Sequence, residues 1–163
     1  MTGVDTDRGM LEIARRRTDA QLLQCDAHGL ALPDDTFDLA VAVTLLEFAD
    51  RATEVIDELA RVTRPGGRIA VAALNPRSPW GLVHRRKLRR PPWSHACLRT
   101  PGELRDLLAG LGQPRRSAAL YAPGALPGLE RIGPLLERAG RLVPGLGAFQ
   151  IAVVDLPGRP AGR

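Results

Sequence analysis

Acidic side chains follow two short apolar runs near the start of the chain. The run at residues 2–5 ends in Asp5, and the run at residues 21–25 closes on Asp26. A short strand that ends in an acidic residue and precedes a capped helix is typical of the second strand of a nucleotide-binding α/β sheet. A carboxylate in that place can accept hydrogen bonds from both hydroxyls of a ribose. Asp5 is therefore the first candidate for a binding residue.

The elements around these carboxylates alternate between strand and helix. Asp7 is a suitable N-cap for a helix whose apolar stripe is Met10, Leu11, Ile13 and Ala14. Residues 37–43 predict a strand buried on both faces, and a helix with a possible Asp50 cap follows it. That helix is expected to stop at the Pro-Gly-Gly turn of residues 65–67, before a buried strand at 69–74. The order predicts an α/β fold with a parallel sheet and right-handed crossovers.

The second half of the chain has a different pattern. Residues 75–99 are irregular and carry both tryptophans and the basic run at 84–90. Thr100 and Glu103 form a capping box for the next helix. Two late strands are expected at 117–122 and 149–155, with a helix interrupted at Pro134 between them and a frayed tail after Pro157. The chain thus predicts one domain at 1–156 with a basic, lid-like insertion at 75–100.

Composition excludes several classes of protein. A chain of 163 residues with 44% hydrophobic and 25% charged residues suits one globular domain rather than a disordered chain. It shows neither a bilayer-spanning run nor a signal peptide, so a cytoplasmic location is expected. Cys25 and Cys97 lack zinc-like spacing, which predicts reduced thiols and no metal. The net charge of +5 fits an anionic partner, such as nucleic acid, a phosphorylated substrate or an acidic carrier protein, or a compositional bias toward arginine.

Four stretches occur in the right order and spacing to resemble a class I S-adenosylmethionine-dependent methyltransferase of the small-molecule type. They are Gly3-Val4-Asp5 with Met10-Leu11; Cys25-Asp26-Ala27 with Leu32-Pro33-Asp34; Thr36-Phe37-Asp38-Leu39 through Leu46-Glu47-Phe48; and Glu58-Leu59-Ala60-Arg61-Val62 with Arg64-Pro65-Gly66-Gly67-Arg68. The two late strands would supply the antiparallel hairpin that ends this Rossmann-like fold. The resemblance covers residues 3–75 and implies S-adenosyl-L-methionine as the cofactor.

The resemblance also implies a cofactor-binding role for five residues. Asp5 would accept hydrogen bonds from the ribose hydroxyls, and Asp26 would accept one from the adenine amino group. Ala27 would offer its backbone to a ring nitrogen, and Met10 would pack near the adenine. Thr44 would face the methionine portion of the cofactor. Structural roles stay open for Asp26 as a cap of nearby amides and for Met10 as plain core.

Methyl transfer from a sulfonium is an in-line displacement, so positioning of the acceptor supplies most of the catalysis. A general base is needed only where the acceptor must lose a proton. Glu47, His84 and His95 are candidates by location, and the sequence alone names no catalytic residue. The acceptor is expected to be a small molecule, with a mild preference for an anionic or carrier-bound one.

The family's first strand and Gly-x-Gly-x-Gly loop are missing ahead of Asp5, so we expect an N-terminally truncated methyltransferase with impaired cofactor binding. Two strand edges would then face a gap, and could pair directly, recruit another chain, including a second copy, or leave an unstable and aggregation-prone sheet. Two other functions stay open. One is a non-catalytic fragment or module that binds nucleic acid or other anions through residues 84–90 and the tryptophans, and the other, less favoured, is a nicotinamide-dependent oxidoreductase.

Overall fold

A computed structural model describes residues 1–84, 86, 89–91, 93–119, 135, 138, 140 and 142–158. Its elements are β1 (Thr2–Asp5), α1 (Arg8–Arg15), β2 (Gln21–Gln24), β3 (Phe37–Val43), α2 (Ala52–Val62), β4 (Thr63–Leu74), α3 (Pro79–His84), α4 (Pro101–Leu108), β5 (Arg115–Ala119) and β6 (Phe149–Asp155), with 3₁₀ turns at Trp93–His95 and Pro144–Leu146. Most of the helix predicted around Pro134, and the end of the strand predicted at 117–122, lie outside the described residues.

The strands form two sheets in the described part of the chain. β1 and β2 pair in parallel, and the second sheet has the order β3-β4-β6-β5. In that second sheet β3 and β4 are parallel, whereas β6 runs antiparallel to both β4 and β5. The α/β class and the antiparallel pair of late strands are confirmed.

The gap predicted between the two sheets is also present among these residues. β1 and β3 each pair with one strand and do not pair with each other. Direct pairing of the two edges, one of the expected outcomes, is therefore not observed. Self-association through these edges stays a prediction.

The hydrophobic core lies between α2 and the second sheet. Val55, Ile56 and Leu59 of α2 are buried against Ile69 and Val71 of β4. Leu104 and Leu108 of α4 and Val154 of β6 extend the same cluster. Burial of this many aliphatic side chains, each contributing about 1.5–3 kcal/mol, fixes α2 firmly on the sheet.

Helix starts were predictable from local sequence in two cases. The Asp7 carboxylate accepts a hydrogen bond from the Met10 backbone N–H at 3.0 Å, which confirms the cap of α1. The capping box of Thr100 and Glu103 at the start of α4 is confirmed as well. At α2, however, the N-cap residue is Arg51, whose side chain makes no capping hydrogen bond to the described helix, so the predicted Asp50 cap is wrong.

The start of β4 differs from the prediction. α2 ends at Val62 and β4 begins at Thr63, so the Pro-Gly-Gly segment lies inside the strand instead of before it. Thr63 pairs with Phe37 while Arg68 pairs with Leu39, so residues 64–67 bulge from the ladder. Gly67 sits in this bulge, where a Cβ atom would lie 2.8 Å from the Arg64 carbonyl oxygen.

The outer faces of two elements are more exposed than the sequence predicted. Ala40 and Ala42 of β3 are buried, but Leu39, Val41 and Val43 are about half exposed. The prediction that β3 is buried on both faces is therefore wrong for the described residues. The hydrophobic core that they form covers only the face of β3 that carries Ala40 and Ala42. α1 likewise buries only Leu11 of its predicted stripe. None of the helices in the described ranges is long and apolar enough to cross a membrane.

Candidate functional site

Asp5 and Asp26 lie at the carboxyl ends of adjacent parallel strands. Asp5 is the last residue of β1, and its carbonyl oxygen accepts a hydrogen bond from the Cys25 N–H at 3.3 Å. The Asp5 carboxylate accepts one from the Asp7 N–H at 2.9 Å, which orients the side chain at the strand end. Asp26 follows β2 by two residues. The structure therefore brings these two predicted residues together.

His28 holds the Asp26 carboxylate. Oδ1 of Asp26 accepts a hydrogen bond from the His28 backbone N–H at 2.9 Å and lies 2.6 Å from Nδ1 of the imidazole. The backbone hydrogen bond, with the side-chain contact second, lowers the pKa of Asp26 below its ordinary value. An exposed aspartate of this kind is an anion at neutral pH and can accept a further hydrogen bond from a ligand amino group.

The segment that carries Asp26 is fastened to α2 by Arg61. The guanidinium donates to the carbonyl oxygens of Leu30 and Leu32, both at 2.9 Å, and pairs with Glu58 and Asp34. Glu58 in turn accepts a hydrogen bond from the Leu30 N–H at 2.7 Å. The loop after β2 is thereby held by side chains from a helix that the core keeps in place.

Thr44 lies at the carboxyl end of β3, in the other sheet from Asp5. Its backbone has a φ of 49°, in the left-handed region that residues other than glycine rarely adopt. The Thr44 N–H donates to the Ala72 carbonyl oxygen at 2.8 Å, which fixes this sharp turn beside β4. Strained turns of this kind cluster at ligand sites, which fits the role predicted for Thr44.

Met10 and Ala27 differ in how deeply the fold buries them. Met10 is 54% exposed in the first turn of α1, so its alternative role as plain core is wrong for the described residues. Ala27 is partly buried and packs against the hydrophobic core, directly after Asp26. Both lie next to the carboxylates in sequence, and their contacts with a cofactor stay predictions.

Glu47 is the most deeply buried carboxyl group among the described residues, with 1% of its surface exposed. Oε1 accepts a hydrogen bond from the Leu74 N–H at 2.7 Å, and Oε2 has no hydrogen-bond partner among the residues that the structure describes. Burial raises the pKa of Glu47, an effect that the Leu74 hydrogen bond and the nearby Arg99 charge oppose. Glu47 therefore ties the turn after β3 to the end of β4.

The two histidine candidates are more open. His84 stacks on Trp80 with ring centroids 4.5 Å apart, and its Nδ1 lies 2.9 Å from the Trp80 carbonyl oxygen. His95 is exposed at the end of the 3₁₀ turn, where Trp93 packs against Phe48. The structure therefore separates the three candidates by burial without assigning a base to any of them.

A shallow pocket at the opposite end of β4 contains none of the predicted site residues. Thr63, Pro65, Leu111 and Pro157 contribute to its lining, around the start of β4 and the end of β6. The candidate site lies instead at the carboxyl ends of the parallel strands. Ligands of open α/β sheets bind at that edge.

Comparisons with known proteins identify the family of this chain. Residues 1–71 match the family described as a methyltransferase domain. The chain is 31% identical over 172 aligned positions to the demethylmenaquinone methyltransferase of Thermus thermophilus, and the alignment covers 98% of this chain and 72% of that enzyme. It belongs to the class I S-adenosylmethionine-dependent methyltransferases.

Two further relatives support this family membership. A phosphatidylethanolamine N-methyltransferase of Cereibacter sphaeroides is 36% identical over 78 residues, which cover 44% of this chain. The chain spans only 38% of the length of that relative. The crystal structure of a SAM-dependent methyltransferase from Thermotoga maritima, a possible histamine N-methyltransferase, superimposes with a TM-score of 0.76 at 26% identity, covering 94% of this chain and 72% of that one.

The cofactor of the methyltransferase family is S-adenosyl-L-methionine, and the hydrogen-bonding groups of the chain fit it. The ribose hydroxyls and the adenine amino group of this cofactor are hydrogen-bond donors, and the carboxylates of Asp5 and Asp26 are acceptors on adjacent strand ends. The lowered pKa of Asp26 keeps it in the accepting form. When bound, the cofactor supplies an electrophilic methyl group.

Sequence analysis missed the residues that support this site. Arg61 and Glu58 appeared only as part of a family stretch, although their spacing of three on a helix allows an ion pair. Their contacts with Leu30 span 28–31 residues of chain and have no local signature. Arg99, whose Nε is buried beside the turn after β3 and has no hydrogen-bond partner within the described part of the chain, was also missed.

Proposed function

We propose that this methyltransferase chain binds S-adenosyl-L-methionine through Asp5, Met10, Asp26, Ala27 and Thr44, and directs its methyl group to a small-molecule acceptor. Asp5 would hold the ribose and Asp26 the adenine amino group, which leaves the methyl group near the end of β3. The single observation that carries the proposal is the 31% identity to the Thermus enzyme, which extends over 98% of this chain.

The acceptor would lie against the segment of residues 76–99, which follows β4. The Phe48 and Trp93 rings, 5.4 Å apart, connect the turn after β3 with this segment, and Trp80 and His84 stack within it. Flat, partly exposed rings of this kind suit an aromatic or extended apolar acceptor. Because the Thermus relative is named for a quinone, a quinone ring is the acceptor class that we favour.

The protein's part in the reaction would be positioning. Asp5 and Asp26 fix one end of the cofactor, and the aromatic rings fix the acceptor, so that the reacting atoms align for in-line displacement. Glu47 already accepts the Leu74 N–H and is buried, which suits the holding of two segments better than proton transfer to an acceptor. Any proton lost by the acceptor would leave through the more open His84 or His95 or through solvent.

Calorimetric titration of S-adenosylhomocysteine into the chain tests the cofactor site. Asp5→Ala and Asp26→Ala are each expected to weaken binding at least about tenfold, since each removes a charged hydrogen-bond acceptor. Asp19→Ala is the matched control, because this exposed carboxylate precedes β2 at the other end of the strand. The same titration tests the expectation of impaired cofactor binding.

No detectable heat from a folded sample would overturn the proposed function in favour of a non-catalytic relative. Binding that Asp5→Ala and Asp19→Ala weaken equally would remove Asp5 from the site. Where binding is found, methyl transfer to demethylated quinones is then followed with radiolabelled cofactor. Transfer to histamine or phosphatidylethanolamine but not to quinones would overturn the favoured acceptor class.

A further inference from the structure

We propose that Arg61 and Glu58 are positioning residues for the adenine end of the cofactor. They hold the segment of residues 26–36, here called the Asp26 loop, in the conformation that presents the Asp26 carboxylate. The inference rests on the proposed cofactor site and assigns to it two residues that contact no cofactor atom themselves.

Arg61 grips the backbone of the Asp26 loop at two points. Nη2 donates to the Leu30 carbonyl oxygen and Nη1 to the Leu32 carbonyl oxygen, each at 2.9 Å. Nη1 also pairs with the Asp34 carboxylate. A planar guanidinium can reach several acceptors in fixed directions, whereas a lysine ammonium is a single point donor. The two-carbonyl grip is therefore specific to arginine.

Glu58 completes the grip from the same helix. Its carboxylate accepts hydrogen bonds from Nε and Nη2 of Arg61 at 2.8 Å and from the Leu30 N–H at 2.7 Å. The Arg61 hydrogen bond lowers the pKa of Glu58, so the carboxylate stays charged and accepting at neutral pH. Both backbone groups of Leu30 are thus held by a charge-assisted hydrogen bond.

The helix that carries Arg61 and Glu58 is a rigid base for the loop. Val55, Ile56 and Leu59 on its other face are at most 7% exposed in the hydrophobic core. The end of the loop is tied to the same helix, because the N–H groups of Asp35 and Thr36 donate to the carbonyl oxygens of Arg61 and Val62. A shift of the loop therefore requires these bonds to break.

A compact turn connects Leu30 to Asp26, so the position of Leu30 determines the position of Asp26. The Gly29 N–H donates to the Asp26 carbonyl oxygen at 3.2 Å, and the His28 N–H donates to the Asp26 carboxylate at 2.9 Å. Ala27 packs against the hydrophobic core between them. Fixing Leu30 thus fixes the direction of the Asp26 carboxylate, which determines whether an adenine amino group can reach it.

The test measures selectivity for adenine and compares two ligands, S-adenosylhomocysteine and S-inosylhomocysteine, whose base carries an oxygen in place of the amino group. The wild-type chain is expected to prefer the adenine ligand. Arg61→Lys is expected to weaken the adenine ligand about tenfold and the inosine ligand much less, so that the preference falls. A loss of folded protein alone would weaken both ligands by the same factor and leave their ratio unchanged.

Asp26→Ala removes the proposed acceptor of the adenine amino group, so it shows how much of the adenine preference this contact supplies. Adding Arg61→Lys to Asp26→Ala is expected to lower the preference no further, because the two residues act on the same contact. Arg68→Lys is the matched control, since Arg68 pairs with Asp155 of β6 at 2.6 Å and its replacement should change neither affinity. Faster amide exchange at Leu30 in Arg61→Lys would support the same conclusion independently.

The outcomes separate this inference from the proposed function. An unchanged adenine preference in Arg61→Lys, with Asp26→Ala abolishing it, would overturn the positioning role and leave the cofactor site standing. Equal weakening of both ligands would assign Arg61 to stability alone. Failure of the folded wild-type chain to bind S-adenosylhomocysteine would overturn the proposed function and the positioning role together.

Discussion

The Asp26 loop and the segment of residues 76–99 are held in different ways, and the second segment, predicted to be irregular, contains α3 and the 3₁₀ turn Trp93–His95. The Asp26 loop is bonded along its length to α2, through Arg61, Glu58 and the last turn of the helix. In the described part of residues 76–99, the hydrogen bonds that tie the segment to its surroundings lie near its two ends, at Ser78 and Cys97. The described residues of the two segments therefore differ in how closely they are tied to the packed helix and sheet.

The anchors of the 76–99 segment are buried polar groups. Asn75 donates to the carbonyl oxygens of Gly145 and Gly147 at 2.9 and 3.2 Å, and Ser78 donates to the Asn75 carbonyl oxygen at 2.8 Å. At the other end the Cys97 N–H donates to the Glu47 carbonyl oxygen at 2.6 Å. Between the anchors, Leu82 is 61% exposed, so the described middle of the segment contributes little to the core.

The largest difference between the two regions should appear in core deletions. Ile56→Ala removes a side chain that is 2% exposed in the core face of α2, the helix that holds the Asp26 loop, and is expected to lower the free energy of unfolding by about 3–4 kcal/mol. Val83→Ala in α3, where the side chain is 50% exposed, should cost less than about 0.5 kcal/mol. Urea unfolding measures both. Equal losses would show that the 76–99 segment is packed as firmly as α2.

Glu47, whose carbonyl oxygen accepts the Cys97 N–H at one end of the 76–99 segment, should give the next largest effect. Glu47→Ala removes the acceptor of the Leu74 N–H and is expected to cost about 1–3 kcal/mol. Glu47→Gln keeps that acceptor and removes the buried charge, so its stability relative to wild type should depend on pH.

The sign follows from the raised pKa of Glu47. Folding favours the protonated carboxyl, so this contribution to stability is present below the ordinary glutamate pKa and is lost as pH rises through the higher folded pKa. The difference in unfolding free energy between Glu47→Gln and wild type should therefore grow in favour of the variant between about pH 4 and neutral pH. A constant difference across that range would contradict burial as the dominant cause.

The sequence predicted the features whose causes are local. Asp7 and Thr100 predict helix starts because each side chain accepts a hydrogen bond from a backbone N–H three residues later. Asp5 and Asp26 similarly accept a hydrogen bond from a backbone N–H two residues later, just after a strand. The grip of Arg61 on Leu30 could not be predicted, since it depends on a packing contact across about thirty residues. The exposure of Val41 is likewise not local, because it depends on which elements lie over β3.

The N-cap of α4, Thr100, directly follows the 76–99 segment and fixes the start of a packed helix. Thr100→Ala removes the acceptor of the Glu103 N–H and breaks the capping box, with an expected loss of about 1 kcal/mol. Thermal unfolding measures this loss. Thr53→Ala, at an exposed position in the first turn of α2, should lose nothing measurable. A loss of equal size at Thr53 would mean that the capping box does not fix this boundary.

The smallest effect is expected in the middle of the 76–99 segment. Leu82→Ser replaces an exposed apolar side chain, so unfolding free energy should change by less than about 0.5 kcal/mol and S-adenosylhomocysteine affinity by less than about twofold. Turnover of a quinone acceptor should fall in the same variant if this segment holds the acceptor. Loss of cofactor affinity would instead place Leu82 in the cofactor site and remove the division of roles between the two regions.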